Sequence, residues 1–135
     1  MHIGLNMAFP QSSARITEVA VLAEELGFES IWLPEHPIMP VHTSSKYGGT
    51  PDGSIPDYMS DLPDPYVMLA IASSVTKSLK LGTGISLIPE RNPLILAKTI
   101  STLDLYSQGR FILGVGGGWL REETEIMGGD FHHRW

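Results

Sequence analysis

The chain has 135 residues, with 9 Lys+Arg against 15 Asp+Glu and a formal net charge of −6. Its 42% hydrophobic and 18% charged residues are the composition of a folded globular domain, not of a disordered tail. The lack of cysteine excludes disulfide scaffolds, thiolate zinc sites and cysteine nucleophiles. The acidic balance argues against nucleic-acid binding, which needs clustered Lys/Arg, and no stretch approaches the roughly 18 apolar residues of a membrane span. The N-terminus shows no basic region followed by an apolar one, so the cytoplasm is the expected location.

Strand and helix patterns alternate along the chain. A first strand over Ile3–Phe9 precedes a helix over Ser13–Leu26, in which Ile16, Val19, Ala20, Ala23 and Leu26 form one apolar stripe. Gly27 stands where a left-handed helix stop favours glycine. Glu29–Leu33 reads as the second strand. From Pro37 to Pro63 follow 27 residues with five prolines, three glycines and no helical period. Structureless connections beyond about 12–15 residues are uncommon unless they bind something or act as a lid, so 37–63 is expected to be an inserted, lid-like loop.

Asp64-Pro65 opens a second helix, with Asp as cap and Pro in the first turn, and Val67, Ile71 and Val75 recur at helical spacing. Leu79–Ile88 is the third strand; its Gly82 and Gly84 mark a bulge or a close approach of a ligand. Asn92-Pro93 opens the third helix, whose buried stripe runs through Leu96, Ile100 and Leu103, and Gly109 closes it. Arg110–Gly116 is the fourth strand, and a fourth helix starts near Leu120, where Glu122 and Glu123 read as a solvated first turn.

Such alternation implies parallel strands joined by right-handed crossovers, either in an open doubly wound sheet or in part of a (β/α)8 barrel. Four units in 135 residues average about 34 each, and eight would give about 270, close to a barrel's roughly 250. The expected fold is therefore α/β, with residues 1–135 forming the N-terminal half, about four βα units, of a TIM barrel. The run Gly114-Val115-Gly116-Gly117-Gly118-Trp119 sits at a strand–helix junction but fits neither phosphate motif. A dinucleotide fingerprint needs glycine where Trp119 stands, and a Walker A loop needs Gly-Lys-Ser/Thr. Bare backbone there either permits close strand packing or leaves room for a flat ligand at the C-terminal ends of the strands, where barrel active sites lie.

Several segments together resemble the luciferase-like monooxygenase superfamily, and within it the branch of deazaflavin (coenzyme F420)-dependent oxidoreductases. They are Gly27-Phe28-Glu29-Ser30-Ile31-Trp32, Glu35-His36, Asp64-Pro65-Tyr66, Leu81-Gly82-Thr83-Gly84-Ile85, Pro89-Glu90-Arg91-Asn92-Pro93-Leu94, Ala97-Lys98, Thr102-Leu103-Asp104 and Gly109 to Gly116. The resemblance implies a bound coenzyme F420, or alternatively FMN, at the mouth of the barrel. It also implies a non-prolyl cis peptide at Gly84-Ile85 or Ile85-Ser86. The candidate cofactor contacts are Asn6, Gly84, Ile85, Gly116 and Gly117. His36 is the candidate catalytic residue, able to shuttle a proton because imidazole titrates near neutrality. Phe9 and Trp119 are candidate walls of the substrate pocket.

Two positions depart from the deazaflavin dehydrogenases: Pro40 replaces a tryptophan and Trp119 replaces a glutamate, so chemistry relying on that glutamate is not carried over. His42, His132 and His133 lack partners at ligand spacing, so no metal is expected. Arg91 is expected to close an ion pair at the start of the third helix, with a phosphate contact as the alternative. The expected partner is a small organic substrate, with no nucleic acid or membrane. The two open sheet edges of a half-barrel favour a homo-oligomer. The alternatives are a non-enzymatic flavin-binding homologue and a small α/β phosphate-binding module.

Overall fold

The computed structural model describes residues 2–10 and 13–135. Strands β1 (Gly4–Asn6), β2 (Ser30–Leu33), β3 (Lys80–Thr83) and β5 (Phe111–Ile112) form one parallel sheet in that order. Strands β4 (Ser86–Leu87) and β6 (Val115–Gly116) form a second parallel pair. Helices α1 (Ile16–Glu25), α2 (Pro65–Val75), α3 (Pro93–Tyr106) and α4 (Arg121–Ile126) complete the units. Each new strand of the main sheet adds to the same edge, whereas a doubly wound sheet reverses its order at a switch point. Among the described residues the sheet shows no such reversal.

Paired residues in a parallel sheet share a face. Leu5, Ile31, Leu81 and Phe111 pack with Ile16, Ala20 and Ala23 of α1, Tyr66, Leu69 and Ala72 of α2, and Leu96 and Leu103 of α3. The helix stripes are thus legible for α1 and α3. They are shifted for α2, where Val67, Ile71 and Val75 lie on the exposed side. Leu26 is exposed as well, because α1 ends one residue earlier. Asp64 accepts from the N–H groups of Tyr66 (2.8 Å) and Val67 (3.1 Å), and Asn92 from those of Leu94 (3.0 Å) and Ile95 (3.2 Å), so both Xaa-Pro starts are capped. Gly27 (φ +81°) ends α1 in the left-handed conformation, whereas α3, expected to close at Gly109, already turns left-handed at Gln108 (φ +61°), with Gly109 (φ +75°) continuing the turn.

The third and fourth strands are shorter than expected because each breaks in the middle. Gly82 pairs with Ile112 and Ser86 with Val115, so Thr83, Gly84 and Ile85 face only Leu113 and Gly114. This is a one-residue bulge, and the Gly84–Ile85 peptide within it is cis. The Thr83 hydroxyl bridges the gap, donating to the Gly114 carbonyl (2.9 Å) and accepting from the Gly114 N–H (3.0 Å).

On the sheet face turned away from the helices, the Trp32 indole spreads across its neighbours and donates to Ser30 Oγ (2.8 Å). A Cβ at Gly82 would collide with that ring, and one at Gly4 would come within 2.8 Å of its Nε1. These glycines clear space for a tryptophan of the protein itself. Replacing Gly82 by Ala is expected to destabilise the fold by about 1–3 kcal/mol through overpacking, read as a lower urea midpoint; an unchanged midpoint would show that the indole moves freely.

Candidate active site

The site is built on the residues that follow β2. Glu35 is 5% exposed. Its Oε1 accepts from Arg91 Nε (2.7 Å) and Arg91 Nη2, and its Oε2 from the Leu87 N–H (2.7 Å) and the Ser86 hydroxyl (3.0 Å). Ser86 Oγ in turn accepts from Tyr66 Oη (2.6 Å). Arg91 also reaches the Asp64 cap (2.9 Å), so the expected ion pair at the start of α3 is present and joins α2 to the end of β2.

The next residue, His36, turns to the other side. Its Nδ1 lies 2.7 Å from Glu123 Oε2, while Glu123 Oε1 accepts from the Ile38 N–H at 3.3 Å. The His36 side chain is 9% exposed and that of Glu123 1%. With the carboxylate on Nδ1, the ring nitrogen left for other partners is Nε2. Glu123 is therefore a site residue, contrary to its reading as part of a solvated helix start. Its partner lies 87 residues earlier in the chain, beyond the reach of any local pattern.

Glu122 is likewise engaged. It accepts from the N–H and hydroxyl of Ser44 (2.6 and 2.7 Å) and from those of Ser45 (3.2 and 2.7 Å), and so ties the 37–63 loop to α4. The Ser45 hydroxyl, with the Ser44 N–H and hydroxyl, holds the Glu122 carboxyl down at about 2.

His36 opens onto a cavity of about 370 Å³. The walls include Trp119, Tyr47, Met59, Gly84, Ile85 and Gly117. Trp119 meets the His36 ring edge-on (centroids 5.9 Å apart) and Tyr47 at 5.3 Å, so the loop supplies one wall. Of the residues singled out in the sequence, His36, Gly84, Ile85, Gly117 and Trp119 gather here. Asn6 lies beyond this wall, on the strand face shared with Trp32; its Nδ2 is 3.9 Å from where a Cβ on Gly84 would stand. Gly116 is covered by the Ile85 side chain, so its missing side chain makes room for Ile85.

Phe9 is not in this pocket. It is 3% exposed and belongs to the helix-side core, beside Leu33, Pro34, Leu62 and Pro63, because the chain leaves β1 at Asn6 and folds over the end of β2.

Behind the Gly118 wall lies Glu90, 3% exposed. Its Oε1 accepts from Thr124 Oγ1 (2.8 Å), and its Oε2 has no partner among the described residues. Burial, opposed by the Thr124 hydrogen bond and reinforced by the charge of Glu123, pushes this carboxyl up to about 7.

The sequence profile of the luciferase-like monooxygenases matches residues 2–135, and the chain belongs to that family. Uncharacterized protein Rv0953c of Mycobacterium tuberculosis is 42% identical over 125 residues, covering 91% of this chain and 44% of the relative. The chain thus spans less than half the length of that relative. Among solved structures, the FMN complex of the oxygenating constituent of 3,6-diketocamphane monooxygenase from Pseudomonas putida is 26% identical. It matches with a TM-score of 0.71 over 95% of this chain and 32% of its own. The coenzyme F420-dependent tetrahydromethanopterin reductase of Methanopyrus kandleri is 29% identical with a TM-score of 0.63, over 94% of this chain and 30% of its own. The fold is α/β with a parallel sheet, and the chain covers only part of the luciferase-like TIM barrels it matches.

Two outcomes are expected from the acidic groups. In the unfolded chain Glu90 loses its proton near the ordinary 4.5, but in the folded protein only near 7, so its contribution to stability is intact below 4.5 and falls as pH rises between those values. Glu90→Gln cannot titrate, so its melting temperature relative to wild type should climb between about pH 4.5 and 7.5; a constant difference contradicts the raised value. Glu122→Ala releases the loop and should speed tryptic cleavage after Lys46 by about fivefold or more; an unchanged rate would mean that other contacts hold it.

Proposed function

We propose that this protein is an oxidoreductase working on the deazaflavin ring of coenzyme F420, with FMN as the alternative ring. The observation that carries the reading is the buried His36–Glu123 pair opening onto a cavity at the C-terminal ends of the strands, the face on which barrels place their chemistry. The residues present fit a flat ring. A Cβ added at Gly84 would lie in van der Waals contact with Trp32 (3.4 Å), so the Trp32 side chain backs this strand end, and the apolar Ile85 side chain, 39% exposed, lines the cavity beside it.

Gly84, Ile85 and Gly117 would hold the ring, with Asn6 at its margin. Bound there, the deazaflavin supplies two-electron hydride chemistry, or FMN oxygen activation. The protein's own groups do the rest. His36 takes or returns a proton at Nε2, and Glu123 fixes the tautomer and offsets the charge of an imidazolium. Trp119 and Tyr47 exclude water, with Glu122 holding the 37–63 loop closed over them as a lid. An F420 ring is favoured over FMN by the histidine placed directly after β2, as in the deazaflavin branch that the sequence resembles. In a barrel the cofactor's phosphate is held by loops after strands seven and eight, so the test belongs to the full-length protein.

The experiment is a fluorescence titration of that protein with coenzyme F420 and, separately, with FMN. Saturable binding of F420 at least about tenfold tighter than FMN, a difference of roughly 1.4 kcal/mol, is the expected result. Tighter binding of FMN would overturn the deazaflavin assignment, and saturable binding of neither would overturn the whole reading.

A further inference from the structure

We infer that Glu90 is a positioning residue that acts through Glu123 on His36: it stays neutral while the imidazole is neutral and ionises when the imidazole becomes charged. The three buried groups then keep one net negative charge in both states. The coupling stands on the geometry of this chain. Only its use, when His36 takes or returns a proton at Nε2, rests on the oxidoreductase reading above.

Glu90 and His36 meet the same turn of α4 through adjacent residues. Glu123 Oε2 lies 2.7 Å from His36 Nδ1, and the Thr124 hydroxyl lies 2.8 Å from Glu90 Oε1. Glu90, Glu123 and Thr124 are 3%, 1% and 0% exposed. Two ionised carboxylates beside a neutral His36 would bury like charges without a counter-ion, a strongly unfavourable state. A proton added to either Glu90 or His36 relieves it, so the two titrate as coupled sites. A Cβ on Gly118, a wall of the cavity, would stand 3.2 Å from Glu90 Oε1. Glu90 thus adjoins that wall from behind and acts on the site by charge, not by contact with a ligand.

The other charges in this region have partners of their own. Glu35 is matched by Arg91, which divides its guanidinium between Glu35 and Asp64. Arg134 donates from Nε to the Gly118 carbonyl (3.0 Å) and stacks over the Phe131 ring, and His133 pairs with Asp130. On α4, Arg121 pairs with Glu125, and Glu122 holds the 37–63 loop.

The hydrogen bonds accommodate both states of Glu90. Thr124 Oγ1 also lies 3.2 Å from the Leu120 carbonyl, and its hydroxyl has one hydrogen to give. With Glu90 ionised, that hydrogen goes to Oε1. With Glu90 neutral, the carboxyl donates its own proton to Thr124 Oγ1, and the hydroxyl turns to Leu120. Oε2 has no partner among the described residues, which weighs against the ionised form because an unpaired charged oxygen loses more on burial. Burial raises this carboxyl to about 7; the Thr124 hydrogen bond and the charge of His36 oppose the rise, and the charges of Glu123 and Glu35 add to it. The exchange therefore falls in the pH range of imidazole chemistry.

The test is a pH titration of the full-length protein, following isotope-labelled glutamate carboxyls by NMR, with the Glu90 signal assigned as the one lost in Glu90→Gln. Its midpoint is expected near 7. His36→Gln should move it up by at least about half a pH unit, because no cation can then form to favour the carboxylate. Thr124→Val should also raise it, by removing the hydrogen bond to the ionised form. Should His36→Gln not fold, the His36 Cε1–H resonance of the wild type carries the test: an inflection is expected at the Glu90 midpoint, and Glu90→Gln should abolish it. A carboxyl with a merely structural role would titrate independently of His36. The inference is overturned by a Glu90 midpoint in the ordinary carboxylate range, by a midpoint that His36→Gln leaves in place, or by a His36 resonance without that inflection. Coupled titration in a protein that binds neither F420 nor FMN keeps this inference and ends the oxidoreductase reading; cofactor binding with an uncoupled Glu90 does the reverse.

Discussion

One buried carboxylate organises the mouth of this sheet. Glu35, at the end of β2, receives the Arg91 guanidinium, the Ser86 hydroxyl and the Leu87 N–H, and through Ser86 the Tyr66 hydroxyl of α2. A carboxylate this deeply buried costs several kcal/mol if its partners are imperfect. The second half of the third strand must therefore sit where Leu87 and Ser86 can reach it. That requirement sets the position of the segment after the bulge, and with it the place of Gly84 and Ile85 relative to His36.

Two adjacent residues at one strand end then divide the labour. Glu35 faces the framework and spends its charge on holding β2, α2, β4 and the start of α3 together. His36 faces α4 and the cavity, where Glu123 orients it. Glu122, the neighbour of Glu123, reaches out to the long loop. The first turn of α4 thus connects the histidine and the loop that walls its cavity, and a shift of this turn would move both. Trp119, just before it, contacts His36 and Tyr47 and completes the same unit.

The glycines show how a correct signal can have a different owner. Gly82 and Gly84 inside an apolar strand announce a close approach, and the close approach is real. At Gly82, however, the occupant is Trp32, and at Gly116 it is Ile85, both from this chain. At Gly84 the same Trp32 lies in ordinary van der Waals contact, 3.4 Å from where a Cβ would stand. Strand alternation and glycine count cannot distinguish a seat for a ligand from a seat for a neighbouring side chain, because both demand the absence of a Cβ.

What the sequence by itself determined is whatever depends on neighbours in the chain. Asp64-Pro65 and Asn92-Pro93 cap their own helices within three residues, Gly27 stops α1 by its own φ, and the apolar stripes of α1 and α3 follow the helical repeat. The position of His36 after β2 was legible too, from the strand pattern before it. Tertiary structure alone decided the partners of charge. Glu123 finds His36 across 87 positions, Glu122 finds Ser44 across 78, and Arg91 finds Glu35 across 56. It also decided that Phe9 packs into the core and that Tyr66, not Val67, faces the sheet. The physical reason is the range of the forces: capping and backbone conformation act within a turn, whereas the worth of a carboxylate depends on how much water is removed from it, which only the packed chain specifies.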